Sequence, residues 1–267
     1  MAQRALDIIE KVDTIAGYST YIELIKNIVK GKKVISTTMT KEVQRVELAI
    51  NEVLNKKSCA LISGGDSGIY AMAGLVFEIC KKQNIKLFRA NNCKASNSNQ
   101  TEGSDGIEGS DVMEKRGGKQ NQLVLEIIPG IPALAAGAAL AGAPLTHDFA
   151  TISLSDLLTK WEIIEKRLEL AAQADFAIVI YNPKSKKRDW QLTRAKELIV
   201  RHRDKQTPVA IVTGAMRENQ NIIITDLDKM DKEDVGMQSI LFVGSTASVQ
   251  YLDFIFTPRG YGNKYNL

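Results

Sequence analysis

Residues 127–150, IIPGIPALAAGAALAGAPLTHDFA, carry most of the information about the fold. An apolar strand is predicted to end at Ile128, and the chain then turns through Pro129 and Gly130. The helix that follows consists almost entirely of Ala and Gly. Because such a helix has little side-chain bulk, its backbone can lie very close to a neighbouring sheet or to a flat ligand. This segment alone is consistent with a packed core helix and with a ligand-binding helix.

A second segment, SCALISGGDSGIYAMAG at 58–74, has the same order of strand, glycine-rich turn and helix. Gly64 and Gly65 allow the backbone to approach a ligand, and Asp66 can cap the next helix or accept a hydrogen bond from a ligand. The turn lacks the Lys-Ser/Thr of a P-loop and the GxGxxG spacing of a dinucleotide site. We therefore predict a cationic or hydroxylated ligand here, with capping alone as the alternative.

Composition excludes several classes of protein. A chain of 267 residues that is 44% hydrophobic and 25% charged is typical of a soluble globular protein of one or two domains. The net charge of +4 and the 6% of aromatic residues do not indicate a nucleic-acid surface. No apolar run approaches the ~20 residues that span a bilayer. The three cysteines lack a CxxC spacing and the two histidines are far apart in the sequence. We predict a cytoplasmic protein with no protein-bound metal and no nucleic-acid or membrane partner.

Apolar runs that are rich in β-formers alternate with helical patterns along most of the chain. Runs such as FAIVIY at 176–181 are typical of largely parallel sheets that helices cover on both sides. We predict an α/β protein of two α/β domains, 1–146 and 147–267, with a cofactor cleft between them. The predicted strands cover residues 33–36, 58–63, 124–128, 149–154, 175–181, 208–213, 221–225 and 240–244. The predicted helices cover residues 2–12, 20–30, 40–55, 67–83, 131–142, 155–173 and 188–203, with a further amphipathic piece from 246.

Two segments depart from this alternation. Residues 89–122 are dominated by Gly, Ser, Asn and charged residues, and they contain too little apolar surface to offset the entropy of ordering. We predict a disordered, dispensable surface insertion there. The loop after FAIVIY carries the basic residues Lys184, Lys186, Lys187 and Arg188. This loop is either simply solvated or forms a rim that binds carboxylates or phosphates, because strand C-termini face the usual ligand crevice.

Four strings resemble one known family. They are SGGDSGIYAMAG, IIPGIPALAAGAALAGAPLTHDFATISLSDLLT, ADFAIVIYNPKSKKR and VGSTASVQYLDFIFTPRGY. They are similar to the tetrapyrrole (class III) S-adenosylmethionine-dependent methyltransferases, and LSDLLT and YNPKSKKR resemble its precorrin-3B or cobalt-precorrin-3 C17-methyltransferase branch. The resemblance implies a tetrapyrrole methylase-like homodimer that uses S-adenosylmethionine to methylate C17, with ring contraction, in cobalamin biosynthesis. A related methyltransferase with another substrate, and an inactive truncated copy that only binds ligand, remain as alternatives.

The resemblance also implies roles for individual residues. The residues that it places at the cofactor are Gly64, Gly65, Asp66, Ile69, Tyr70, Pro132, Ala133, Asn182, Gly214 and Ala215. It places Lys184 and Arg188, together with His147, at the rim of the substrate trough. Ring contraction needs proton transfer, and the pKa class of histidine suits that step, so His147 is also the candidate catalytic residue. A structural pair of His147 and Asp148 is the alternative.

The chain departs from the family pattern at two places. Ser67 stands where the family usually has Pro after the glycine–aspartate pair. The family also typically opens with a strand and a GxGPG turn, whereas this sequence starts at the helix that should follow them. We therefore expect the first sheet to lack its central strand.

Overall fold

The computed structural model describes residues 1–90, 121–185 and 188–265. The chain forms two compact units, Met1–Pro132 and Ala133–Leu267. The sequence placed this boundary after residue 146, whereas the structure groups the Ala/Gly helix with the second unit, on whose sheet the helix packs. Apart from its first two and last two residues, the predicted insertion 89–122 lies outside the described residues.

The first unit has short helices and short strands. Its described helices are α1 (Gln3–Lys11), α2 (Ser19–Leu24), α3 (Glu42–Leu54) and α4 (Ala73–Lys82). Its described strands are β1 (Thr14–Tyr18), β2 (Lys33–Thr37), β3 (Cys59–Ile62), β4 (Lys86–Arg89) and β5 (Gln122–Leu125).

Strand β1 is the centre of a three-stranded parallel sheet in the order β2-β1-β3. Its first four residues are buried, as expected for a strand with a neighbour on each side. The expectation that this sheet lacks a central strand is therefore wrong, because Thr14–Tyr18 occupies that position. The sequence did not identify this strand, since five residues between two helical patterns are too few to display a period.

The other sheet of the first unit is the parallel pair β4-β5. One hydrophobic cluster contacts both sheets: Val46 and Val76 of the helices pack with Leu61 of β3 and Leu123 of β5. Among the described residues β3 pairs only with β1, and β5 pairs only with β4. The first unit thus has two sheets that share one core cluster without sharing a ladder of hydrogen bonds.

The second unit contains the larger sheet. Its described helices are α5 (Ala133–Ala141), α6 (Trp161–Gln173), α7 (Gln191–Val200) and α8 (Tyr261–Tyr265). Its described strands are β6 (Gly142–Ala143), β7 (Phe149–Ser153), β8 (Ala177–Tyr181), β9 (Pro208–Thr213), β10 (Asn221–Asp226), β11 (Ser239–Val243), β12 (Val249–Tyr251) and β13 (Phe254–Phe256).

The five-stranded sheet of the second unit has the order β10-β9-β11-β8-β7. Only β7 and β8 are parallel neighbours, and the other three pairings are antiparallel. The prediction of a largely parallel sheet is wrong for this unit, because the fully apolar strands that suggested it are equally compatible with an antiparallel sheet buried on both faces. Since β8 and β9 both run opposite to β11, strands β7, β8 and β9 run in the same direction.

Both faces of this sheet are covered. In β8, Ile178 and Ile180 pack with α6 and α7, whereas Val179 packs in the cluster that contains α5. The Ala/Gly helix lies close to the sheet at Gly137, where a Cβ atom would stand 2.8 Å from the ring of Phe242. The lack of side-chain bulk in α5 therefore serves packing on β11.

Several helices and strands begin or end at residues other than those predicted from the sequence. Helices α4, α6 and α7 begin later than the sequence predicted, at Ala73, Trp161 and Gln191, because turns precede each of them. The helical piece predicted from 246 is wrong, since Val249–Tyr251 and Phe254–Phe256 form an antiparallel hairpin. Among the helices in the described ranges, none combines the length and apolar character needed to cross a membrane.

Candidate cofactor and substrate site

Asp66 connects the two glycine turns of the first unit. Its Oδ2 accepts a hydrogen bond from the backbone N–H of Gly130, at 2.9 Å, and its Oδ1 accepts one from Gly68, at 2.8 Å. Helix α4 starts only at Ala73, and Met72 at its N-cap position makes no side-chain capping bond. The alternative that Asp66 merely caps the next helix is therefore wrong. The carboxylate instead joins the turn after β3 to the turn after β5.

The two turns touch at glycines. A Cβ atom on Gly130 would stand 2.0 Å from the backbone oxygen of Gly65, so only glycine fits there. Gly65 itself has a φ of 73°, in the left-handed region that glycine adopts without strain. Ser67, the residue that replaces the family's usual Pro, adds a hydrogen bond from its hydroxyl to the backbone oxygen of Ile128, at 3.3 Å. The turn thus remains well formed with serine at that position.

These contacts also favour the ionised form of the Asp66 carboxyl. The backbone N–H groups of Gly130 and then Gly68 lower the pKa of the Asp66 carboxyl below its usual value, because both bonds favour the ionised form. A carboxylate has more lone pairs than the two that these bonds use. Asp66 can therefore accept a further hydrogen bond from a ligand while it holds the turns together.

The remaining predicted residues of this turn differ in exposure. Ile69 is half-buried, whereas Tyr70 is 54% exposed and has a left-handed φ of 50°. At the end of β3, the hydroxyl oxygen of Ser63 is buried and has no hydrogen-bond partner among the described residues. An exposed aromatic ring, a buried free hydroxyl and an anionic carboxylate thus lie within one eight-residue segment, 63–70.

In the second unit, the predicted cofactor residues follow the C-terminal ends of strands that run in the same direction. Asn182 comes directly after β8, and Gly214 and Ala215 come directly after β9. Helix α5 starts at Ala133, and the backbone N–H of Leu134 donates to the Tyr181 hydroxyl, at 2.9 Å. The structure thus brings Ala133, Asn182 and the β9 turn to one edge of the sheet, the edge at which ligands commonly bind. Pro132 is the last residue of the first unit.

The loop after β8 is built around Asn182, which has a φ of 50°. Its side-chain amide donates to the hydroxyl of Ser153, at 2.9 Å, and its backbone oxygen accepts from Nη2 of Arg188, also at 2.9 Å. Arg188 is only 7% exposed, so its side chain is not solvated, as the simpler of the two interpretations of this loop required. Lys184 is half-buried in the same loop.

His147 lies elsewhere on the second unit. His147 precedes the N-terminal end of β7, whereas Asn182 and Gly214 follow the C-terminal ends of β8 and β9. Because these strands run in the same direction, His147 lies at the opposite edge of the sheet from those two residues. Its Nδ1 accepts a hydrogen bond from the backbone N–H of Asp148, at 2.8 Å, and its side chain is 56% exposed. This position favours the alternative in which His147 and Asp148 form a local structural pair.

Comparisons with known proteins agree on one family. Residues 109–231 match the model of the tetrapyrrole (corrin/porphyrin) methylases. A protein of Salmonella typhimurium, the probable cobalt-factor III C(17)-methyltransferase, is 37% identical over 98% of this chain and 93% of its own length. The chain belongs to the tetrapyrrole methylase family. Another relative, the cobalt-factor III methyltransferase of Priestia megaterium, is 40% identical over the whole chain, which spans 44% of that longer protein.

Solved structures support this assignment of the tetrapyrrole methylase. The crystal structure of the methyltransferase CobJ matches with a TM-score of 0.78 and 28% identity, covering 97% of this chain and 93% of that one. The α/β fold class predicted from the sequence is therefore confirmed.

Sequence reasoning missed three residues of this methylase that complete the loop after β8. They are Ser153, Asp156 and Gln191, and the side-chain amide of Gln191 donates to the carboxylate of Asp156, at 3.1 Å. The signal was available, since Ser153 and Asp156 flank or fall within the LSDLLT string. Their part in the loop depends on which strands are neighbours, and that follows only from the sheet order.

A groove of about 650 Å³ lies at the opposite edge of the five-stranded sheet of the second unit, where Pro208, Asp226 and Lys229 are among its lining residues. It is separated from Gly214 by the length of β9, about 17 Å at the usual rise of a strand. The carboxylate of Asp226 is engaged by Lys229 at 2.5 Å. The groove is therefore distinct from the predicted cofactor residues.

Proposed function

We propose that this tetrapyrrole methylase transfers a methyl group from S-adenosylmethionine to C17 of a tetrapyrrole precursor of cobalamin, with contraction of the macrocycle. The observation that carries the proposal is the similarity to the Salmonella C(17)-methyltransferase, of which the chain spans 93%. The LSDLLT and YNPKSKKR strings support the same branch. Both curated relatives described above are named for cobalt-factor III, which favours a cobalt-loaded substrate.

The residues of the two turns and of the strand ends fit S-adenosylmethionine as co-substrate. The Gly65–Gly130 contact leaves backbone at the surface of the first unit, where a bulky cofactor can approach closely. Asp66 and the free hydroxyl of Ser63 supply the acceptors and donor that ribose hydroxyls or an amine require. In the second unit, Asn182 and Gly214 lie at the edge of the sheet at which ligands commonly bind.

The chemistry makes modest demands on the protein. The co-substrate supplies a sulfonium methyl group that is already electrophilic, so a C–C bond can form at the macrocycle as the S–C bond breaks. What the chain must supply is orientation and the exclusion of water, and both lower the barrier without a dedicated nucleophile. In this proposal Asp66 holds the glycine turns of the first unit, and Asn182 holds the strand ends of the second unit. Lys184 binds the acidic side chains of the substrate.

The decisive experiment is a methyl-transfer assay of the full chain with labelled S-adenosylmethionine. Cobalt-factor III and its metal-free counterpart are supplied in separate reactions, and products are analysed by mass spectrometry for one added methyl group and for its position. Methylation at C17 supports the proposed reaction, and a higher rate with the cobalt-loaded substrate supports the proposed choice of substrate. Methylation at another carbon would indicate a related methyltransferase, and binding without turnover would indicate a ligand-binding copy.

Two further parts of the proposal concern the state of the protein. We expect a homodimer in the cytoplasm, as the resemblance to the family implies. Light scattering on the purified chain would test the dimer, and fractionation of cells that produce it would test the location. A monomeric, fully active enzyme would remove the dimer from the proposal and leave the rest intact.

A further inference from the structure

The loop after β8 contains a buried arginine whose role the family assignment does not explain. Arg188 is 7% exposed, and its Nη2 donates to the backbone oxygen of Asn182, at 2.9 Å. Its own backbone pairs with Ser185 through two hydrogen bonds of 2.8 and 3.1 Å, which close the loop. The guanidinium therefore faces into the loop and is withheld from solvent.

The residue that Arg188 holds is in an unfavourable conformation. Asn182 has a φ of 50°, in the left-handed region, which asparagine tolerates better than most residues other than glycine but which still costs free energy unless contacts support it. Two contacts enforce it: the bond from Arg188 to its backbone oxygen, and the bond from its own amide to Ser153. Because Ser153 ends the neighbouring strand β7, Asn182 is fixed between two strand ends.

The surroundings keep Arg188 in place. Burial lowers the pKa of the guanidinium and the carboxylate of Asp156 acts in the opposite direction, so the nearby negative charge helps the cation remain buried. Asp156 is held in turn by the amide of Gln191, at 3.1 Å, and Gln191 is itself buried. These contacts form an ordered support behind Asn182.

We propose that Arg188 is a positioning residue that holds the backbone of Asn182 in its left-handed conformation for S-adenosylmethionine, and that it does not bind the carboxylates of the substrate. This inference rests on the proposed function, since it assigns Asn182 to the cofactor. Lys184 and Arg188 then have different roles, because Lys184 serves the tetrapyrrole whereas Arg188 serves the cofactor through Asn182.

A double-mutant cycle tests the inference, with S-adenosylmethionine affinity measured by titration calorimetry on the full chain. Arg188→Met and Asn182→Gly are made singly and together, because glycine adopts the left-handed conformation without support. We expect Arg188→Met to weaken binding roughly tenfold to a hundredfold, the range for a lost charge-assisted hydrogen bond. The double variant should bind S-adenosylmethionine as Asn182→Gly alone does, because a glycine at position 182 no longer needs Arg188 to hold it. Additive losses, or wild-type affinity in Arg188→Met, would overturn the inference.

Arg203→Met is the matched control. Arg203 is also buried, and its guanidinium donates to the backbone oxygens of Phe176 and Gly244, which lie at the opposite edge of the sheet from Asn182. Its loss should lower the melting temperature and leave cofactor affinity unchanged. Should Arg188→Met fail to fold, Arg188→Lys carries the same cycle. Failure of the wild-type chain to bind S-adenosylmethionine would instead contradict the proposed function, and so the two failures are distinguishable.

Discussion

Replacing Gly130 with alanine tests the contact between the two glycine turns. The new Cβ would stand 2.0 Å from the backbone oxygen of Gly65 and 2.9 Å from its carbonyl carbon. Carbon–oxygen contacts of this kind are found at about 3.3 Å and above, so the turns must separate by roughly 1 Å. Neither contacted atom belongs to a flexible side chain, and separation also weakens the bond from Gly130 to Asp66.

The expected cost combines these two effects. Overpacking costs about 1–3 kcal/mol, and a weakened hydrogen bond to a partly exposed carboxylate adds about 1–2 kcal/mol. A total of about 2–5 kcal/mol is a large fraction of the ~5–15 kcal/mol by which a domain is stable. At a urea dependence of about 2 kcal/mol per molar, the midpoint of the first unit should fall by about 1–2.5 M.

The assay can separate the two units. The chain has two tryptophans, Trp161 and Trp190, and both lie in the second unit, where their rings stack edge-to-face at 4.8 Å. Circular dichroism follows both units, whereas tryptophan fluorescence follows the second. Gly130→Ala should shift the first signal and leave the second unchanged.

Gly74→Ala is the matched control for this substitution. Gly74 is in helix α4, and a Cβ there meets nothing within 4 Å. The same chemical change should therefore stabilise the protein, by about 0.5–1 kcal/mol. A circular-dichroism midpoint for Gly130→Ala within about 0.3 M of wild type would refute the reasoning, since the expected fall is several times larger.

Three further outcomes follow from the structure. Asp66→Asn should lower the urea midpoint at pH 7. Because the pKa of Asp66 is lower in the folded protein, the carboxylate stabilises the fold above the unfolded pKa near 3.8, and this stabilisation is lost as the pH falls through the folded pKa. The difference in urea midpoint between variant and wild type should therefore narrow at pH 3, and a constant difference would contradict this. Lys184→Gln should raise the Michaelis constant for the tetrapyrrole and not for S-adenosylmethionine. This difference from wild type should shrink with added salt, because charges more than ~8 Å apart are screened at physiological ionic strength. A salt-independent loss of cofactor affinity would argue against a role of Lys184 in substrate binding. Replacing residues 91–120 with a flexible linker of about 14 residues should preserve the melting temperature, whereas a linker of about four residues should lower it. The reason is that the parallel strands Lys86–Arg89 and Gln122–Leu125 require a crossover connection of about a dozen residues. Equal melting temperatures with both linkers would show that this strand pairing is dispensable.

The sequence predicted the elements whose period or glycine pattern is strong. The turn at Gly64–Gly65 and the Ala/Gly helix at Ala133–Ala141 are where the residues placed them. Strand Thr14–Tyr18 was not predicted from the sequence, because its formation depends on pairing with two strands further along the chain, Lys33–Thr37 and Cys59–Ile62.

The same physical reason explains the errors at the candidate site. A basic residue after a buried strand suggests either a solvated loop or a rim that binds anions, whereas the burial of Arg188 depends on its contact with the backbone oxygen of Asn182. The hairpin after residue 248 resembled an amphipathic helix because short alternating runs fit both periods. Its identity as a strand pair follows from β6, the partner that β13 finds in a distant part of the chain.

That pairing of β6 with β13 has a consequence for synthesis on the ribosome. Thr257, next to β13, donates to the backbone oxygen of Pro144, 113 residues earlier, and the buried Ile255 packs in the same cluster as Ala141. At about 5–20 residues per second, the segment around β6 waits on the order of 6–20 s for its partner to be made. During that interval the apolar surface that Ile255 later covers is open to other chains. The nascent second unit therefore depends on rapid completion, or on a chaperone, more than a sheet built from neighbouring hairpins would.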